Sequence, residues 1–157
     1  MADVAAKLAD MDTVLAESDY LFISVPLSEK TRHLIGEKEL AKMKKTAFLI
    51  NTSRGPVVDE AALIKALREG KIRGAGLDVF DREPTPEDNP LLKMSNVIVT
   101  PHNLVEMEEY YMLQWPEKAR QVSQVISGKP PESLLNPEVL DTPDFKAKMK
   151  RFQAEIK

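Results

Sequence analysis

Three side chains in the 157 residues have the types and positions to do chemistry together: Arg54, Glu83 and His102. Arg54 lies in Asn51-Thr52-Ser53-Arg54-Gly55-Pro56-Val57-Val58-Asp59, where an apolar run gives way to a helical pattern. Its planar fork of donors suits a carboxylate gripped by two parallel hydrogen bonds. Taken alone, it also reads as a surface cation paired with a nearby acid. Glu83 follows Gly74-Ala75-Gly76-Leu77-Asp78-Val79-Phe80, a run that carries a second carboxylate, Asp78. Taken alone, that segment is a strand followed by a polar turn. His102 closes Val97-Ile98-Val99-Thr100-Pro101-His102. An imidazole gives and takes protons around neutrality, although a lone histidine after a strand is more often structural or surface-exposed. Together the three supply a carboxylate anchor, a carboxylate able to hold an imidazole charged, and a proton carrier. That is equipment for redox chemistry at the carbon of a 2-hydroxy acid. The acid's carboxylate would sit on Arg54, and the hydroxyl proton would pass to His102 as hydride leaves.

The elements that must position them are short strands alternating with helices. Tyr20 to Val25, Ala47 to Asn51, Ile72 to Val79 and Asn96 to Thr100 read as strands. Their near-continuous apolar texture suits strands covered on both faces, as in a parallel sheet. Helical spacing fits Val4 to Glu17, Glu37 to Met43 and Asp59 to Glu69. In the last of these Asp59 is a cap and Gly70 a left-handed stop. The alternation predicts an α/β fold with right-handed crossovers. In a parallel sheet, Arg54, Glu83 and His102 all leave at the same edge, where ligands sit. Beyond Thr100, Leu104 to Ile126 reads as one long helix that Pro116 kinks or splits. Gly128-Lys129-Pro130-Pro131 ends it, and Phe145 to Ile156 reads as a terminal helix. The expected organisation is one α/β domain over residues 1–130 and a C-terminal tail, helical in part, over 131–157.

Composition excludes several alternatives. The chain has 22 Lys+Arg against 25 Asp+Glu, 43% hydrophobic residues, two histidines and no cysteine. Its length is one domain's worth, and the hydrophobic fraction is too high for intrinsic disorder. Without cysteine there is no disulfide framework, thiol nucleophile or thiolate metal site. Two histidines, His33 and His102, are too few for a zinc cluster unless carboxylates supply the rest, and no metal site is expected. A net charge of −3 argues against a nucleic-acid partner. No apolar stretch approaches the ~18 residues of a membrane span. Met1-Ala2-Asp3-Val4 lacks the layout of a secretory signal, so a cytoplasmic protein is expected.

From about Val14 to Pro137 the chain resembles the coenzyme-binding domain of D-isomer-specific 2-hydroxyacid dehydrogenases. The resemblance rests on Leu15-Ala16-Glu17-Ser18-Asp19, Val25-Pro26-Leu27, Thr31 to Gly36 and Leu49 to Gly55, followed by Gly74 to Phe80, Glu83-Pro84, Thr100-Pro101-His102 and Leu135 to Glu138. These blocks stand in family order and spacing. The resemblance implies a Rossmann-like, doubly wound parallel sheet and NAD(P)-dependent hydride transfer on a small 2-hydroxy or 2-oxo acid. It further implies that Arg54, Glu83 and His102 are the catalytic Arg, Glu and His. Val25, Pro26, Thr52, Ser53, Arg54, Asp78 and His102 would line the coenzyme, Asp78 at the nicotinamide carboxamide. His33 falls in a block read as structural.

Two departures shape the expectation. No Gly-x-Gly-x-x-Gly occurs in the 157 residues, and Gly74-Ala75-Gly76 lies inside a late strand. The sequence therefore reads as a partial Rossmann-like fold of about four strands, with the first βαβ unit missing and the backbone amides for a pyrophosphate missing with it. Two charged hydrogen bonds at about 1.5–3 kcal/mol each amount to roughly 10²–10⁴ in affinity, so NAD or NADP should bind weakly. Next, Leu104 and Val105 follow His102 where the family has small residues, which would narrow the nicotinamide pocket. The strand at Leu21 to Val25 would be left an apolar edge, and an exposed edge seeks another chain, so a homo-oligomer is expected. Three readings emerge. The first is a partial dehydrogenase, weak or inactive alone. The second is a non-catalytic interaction module on the same scaffold. The third, a hydrolase using Glu83 with another acid, has no supporting spacing.

Overall fold

The structure, a computed structural model, describes residues 6–155. It divides into two units, Met1–Leu104 and Val105–Lys157.

The first unit is a four-stranded sheet with helices between its strands. It runs α1 (Met11–Glu17), β1 (Tyr20–Ile23), α2 (Glu37–Lys42), β2 (Phe48–Asn51), α3 (Glu60–Arg68), β3 (Gly74–Leu77) and β4 (Val97–Val99). The strand order is β1-β2-β3-β4, and every neighbouring pair is parallel. Tyr20, Phe48 and Gly74 align in one row, and Phe22, Ile50, Gly76 and Ile98 in another. This is the expected α/β, Rossmann-like arrangement.

Helix ends follow the local chemistry. Asp59 caps α3 by accepting from the Ala62 amide at 3.0 Å, and Gly70 turns out of it at φ +63°. α1 starts later than the apolar spacing suggests. Asp10 accepts from the Thr13 amide and hydroxyl and sets the first turn there, so residues 6–9 are not helical. Val4 and Ala5 lie outside the described residues. The strands are also shorter than their apolar runs. Ile72 is buried in the core without belonging to a strand.

The core lies on one face of the sheet. Leu21, Ile23, Leu49, Ala75 and Leu77 pack with Leu15 of α1, Leu40 of α2, and Leu63, Ala66 and Leu67 of α3. The other face differs from expectation. Tyr20, Phe22 and Ile98 are 68%, 59% and 76% exposed, so the apolar runs are not covered on both sides here. Tyr20 stacks on Phe48 across β1 and β2, with Arg73 over the Phe48 ring, which shields part of that face.

The second unit holds α4 (Glu108–Ile126) and α5 (Pro143–Glu155). Pro116 does not divide α4, which continues as α-helix through it. Proline removes one intrahelical hydrogen bond there, and the remaining ladder carries the helix on. Gly128 ends the segment at φ +71°, and Gln153 of α5 donates to its carbonyl at 2.8 Å. The expected terminal helix is present as α5; Ile156 lies outside the described residues. Among the described residues no helix is long and apolar enough to cross a membrane.

Candidate functional site

Because the four strands are parallel, their C-terminal ends share one edge. Val25 and Pro26 follow β1, Thr52 to Arg54 follow β2, Asp78 to Glu83 follow β3, and Thr100 to His102 follow β4. Every candidate catalytic or coenzyme-lining residue named from the sequence therefore follows a strand at that edge.

The turn carrying Arg54 is shaped by Asn51, which is 1% exposed. Its Oδ1 accepts from the Ser53 amide at 3.1 Å and the Ser53 hydroxyl at 2.8 Å, and its Nδ2 donates to the Arg54 carbonyl at 3.0 Å. A buried amide with its donors and acceptors paired fixes the turn at little cost. The Arg54 guanidinium remains exposed. Its hydrogen bond among the described residues is to the neighbouring Ser53 carbonyl, at 2.6 Å.

Glu83 folds back on its own strand end. Oε1 accepts from the Phe80 amide at 3.0 Å, and Oε2 meets His102 Nδ1 at 2.9 Å. Desolvation opposes the charged form of Glu83. The hydrogen bonds from His102 and the Phe80 amide, with the charges of His102 and Arg54, outweigh it and hold the carboxyl below the usual glutamate range. With Nδ1 occupied, Nε2 is the ring nitrogen left for another partner. His102 takes a left-handed backbone, φ 56°, uncommon for a residue with a side chain.

Asp78 braces that turn. The residue is 4% exposed, and its Oδ1 accepts from the Thr100 hydroxyl at 2.6 Å and the Asn103 amide at 3.0 Å. Oδ2 receives the Leu104 amide at a longer 3.4 Å. A carboxylate offers about four acceptor positions, so one on Oδ2 remains for a further donor such as a carboxamide N–H.

Asp78, Glu83 and His102 share a cleft of about 630 Å³ whose apolar wall includes Phe80, Leu92 and Val99. That volume lies in the range of small-molecule sites. The free position on Asp78, the apolar wall and the exposed imidazole fit a nicotinamide ring beside a small acid. Val25, Pro26, Thr52, Ser53 and Arg54 stand on the adjoining strand ends and are not in this cleft's wall. Leu104 is 49% exposed and is not part of the wall either. His33 takes φ 50°, and its amide donates to the Pro56 carbonyl at 2.8 Å, a link between two loops.

Sequence reasoning missed the supports of the site. Neither Asn51 nor Thr100 stands among the candidate site residues. An Asx-type turn was legible in Asn51-Thr52-Ser53, since asparagine before a turn often bonds its own backbone two residues on. Thr100 offered no local signal, because its partner is 22 residues away.

Residues 1–103 match the family model described as D-isomer specific 2-hydroxyacid dehydrogenase, NAD binding domain. The chain is 50% identical over 134 residues to a glyoxylate reductase of Thermofilum pendens, covering 85% of this chain and 40% of that protein. It is 47% identical over 132 residues to a glyoxylate/hydroxypyruvate reductase B of Erwinia tasmaniensis, covering 84% and 41%. It thus spans about two fifths of the length of these relatives. Among solved structures it resembles a D-isomer specific 2-hydroxyacid dehydrogenase of Lactobacillus delbrueckii ssp. bulgaricus in its NAD complexed form. The TM-score is 0.74 at 38% identity, over 85% of this chain and 47% of that one. A counterpart from Xanthobacter autotrophicus in complex with NADPH and MES gives 0.66 at 40% identity, over 82% and 52%.

Proposed function

The chain belongs to the D-isomer specific 2-hydroxyacid dehydrogenase family through its NAD binding domain, and from that premise we propose that it carries the proton-transfer half of a 2-hydroxyacid dehydrogenase site. The observation that carries the reading is the 2.9 Å pair of His102 Nδ1 and Glu83 Oε2 at the shared strand edge, with the Arg54 charge acting on Glu83.

Arg54 binds the carboxylate of a 2-hydroxy or 2-oxo acid such as glyoxylate and orients the neighbouring carbon. His102 Nε2 takes the hydroxyl proton during oxidation and returns it during reduction. Glu83 fixes the ring through Nδ1 and faces the positive charge that the imidazole gains. When bound, the nicotinamide accepts or supplies the hydride. Asp78 would hold its carboxamide, and Val25, Pro26, Thr52 and Ser53 on the adjoining strand ends would line its approach. On this reading residues 1–130 form a partial dinucleotide-binding domain and 131–157 a C-terminal tail. These 157 residues bind NAD or NADP weakly and turn over slowly or not at all.

The reading includes self-association through the exposed edge at Leu21 to Val25, supported by the place of β1 at the margin of the sheet. It also includes a cytoplasmic setting, which fractionation of expressing cells checks.

The direct test is calorimetric titration of NADH and of oxamate, an unreactive 2-oxo acid mimic, into wild type and Arg54→Ala. Charge-assisted hydrogen bonds at about 1.5–3 kcal/mol predict a ~10–150-fold loss of oxamate affinity in the variant. The uncharged diamide of the same acid should bind both proteins alike. Equal oxamate affinity in the two proteins would remove Arg54 from the site. Nicotinamide binding with no turnover on any 2-oxo acid would favour a binding module on the same scaffold.

A further inference from the structure

Glu60 is the first residue of α3, far in sequence from the proton-transfer pair. Its carboxylate nevertheless reaches both ends of the loop that bears Glu83. Oε2 accepts from the Asp81 amide at 3.0 Å, and Oε1 accepts from Asn89 Nδ2 at 2.9 Å. Asn89 in turn accepts from the Leu91 amide at 3.0 Å and so starts the short 3₁₀ turn Pro90–Lys93.

The Asp81 amide belongs to the peptide group joining Phe80 to Asp81, and that group is held from two sides. A Cβ on Gly55 would lie 1.9 Å from the Phe80 carbonyl oxygen, so the turn after Arg54 presses directly on this peptide. Glu60 holds its N–H from the opposite end. One bond earlier in the chain, the Phe80 amide donates to Glu83 Oε1. The amide that fixes Glu83 toward His102 thus lies in the peptide group next to the one that Glu60 holds, and the two share the Phe80 Cα.

We propose that Glu60 is a positioning residue for the Glu83–His102 pair, acting through the Phe80–Asp81 peptide and Asn89. The proposal rests on the proton-transfer reading of that pair and deepens it. Glu60 touches neither reacting group. The charged groups that act on Glu83 are His102, from the end of β4, and Arg54, from the end of β2. A change at Glu60 thus reaches Glu83 through the loop's geometry.

The test is nuclear magnetic resonance on the 157-residue chain without ligand. It measures amide exchange at Phe80 and Asp81 and the side-chain carboxyl titration of Glu83. In Glu60→Ala the loop loses both anchors. Phe80 and Asp81 should exchange about tenfold faster or more, and the Glu83 titration should move up toward the ordinary glutamate range. Glu60→Gln keeps one acceptor but turns an NH₂ toward the other donor, so its effect should be intermediate. If Glu60→Ala fails to fold, Asn89→Asp serves instead. It retains the acceptor for Leu91, removes the donor to Glu60 and sets two carboxylates against each other, and Phe80 exchange should again accelerate. The proposal is overturned if Phe80 exchange and the Glu83 titration match wild type in the variants while only Asp81 exchanges faster. Glu60 would then be a local clasp. Failure of the wider reading has a separate signature, oxamate binding that is indifferent to Arg54.

Discussion

Replacing Gly55 by alanine should cost more than any other single methyl added to the sheet edge. The new Cβ would stand 1.9 Å from the Phe80 carbonyl oxygen, 2.0 Å from its carbon and 2.5 Å from the Asp81 nitrogen. Ordinary contact begins near 3.4 Å, so roughly 1.5 Å of separation must open. Both sides of the clash are backbone, which cannot rotate away. Overpacking of this kind costs about 1–3 kcal/mol. Weakening the Phe80 and Asp81 amide bonds adds about 1 kcal/mol each, for a total of roughly 3–5 kcal/mol. In a unit of about 100 residues, that lowers the melting temperature by roughly 15–30 °C. Gly76→Ala is the matched control, because its Cβ would meet Ile50 at 3.8 Å in ordinary contact. There the methyl should be neutral or stabilise by up to about 1 kcal/mol, by restricting the unfolded chain. Thermal melts by circular dichroism compare the two directly. If Gly55→Ala melts within a few degrees of Gly76→Ala, the Phe80–Asp81 peptide is not held against the Arg54 turn, and the linkage argued for Glu83 fails with it.

Two further outcomes follow from the same geometry. The Glu83 carboxyl is held below its usual 4.5, so its contribution to stability is complete above that value and is lost as pH falls through the lower folded one. Urea unfolding at about pH 6 and pH 3.5 should show a larger fall for wild type than for Glu83→Gln, and identical falls would refute the pairing. At the exposed edge, wild type should gain mass with concentration in sedimentation, and Phe22→Lys should hold the monomer, since lysine on an edge strand opposes pairing. A stable wild-type monomer at high concentration would end the self-association proposal.

The placing of the site was legible because parallel strands deliver their C-terminal ends to one edge. Once Leu49 to Asn51, Gly76 to Asp78 and Val97 to Val99 read as strands, Arg54, Glu83 and His102 had to share it. What holds them there was not legible. Glu83 meets the Phe80 amide only because the loop doubles back, and Glu60 meets Asp81 and Asn89 across 21 and 29 residues. No local pattern announces such bonds. The left-handed backbones of His33 and His102 were equally hidden, since histidine enters that region more often than most residues yet still in a small minority of cases. Apolar texture also misled. Tyr20-Leu21-Phe22-Ile23 reads as a strand buried on both faces, yet Leu21 and Ile23 are buried while Tyr20 and Phe22 face outward. Composition counts apolar residues without saying which of them find a partner.

The bonds from Thr100, Asn103 and Leu104 to Asp78 have a mechanical consequence. They moor the chain to the end of β3 at the last residue before the second unit begins at Val105. The residues on either side of the imidazole are thereby tethered to one acidic side chain. Losing that carboxylate would unfasten both flanks of His102 in one stroke.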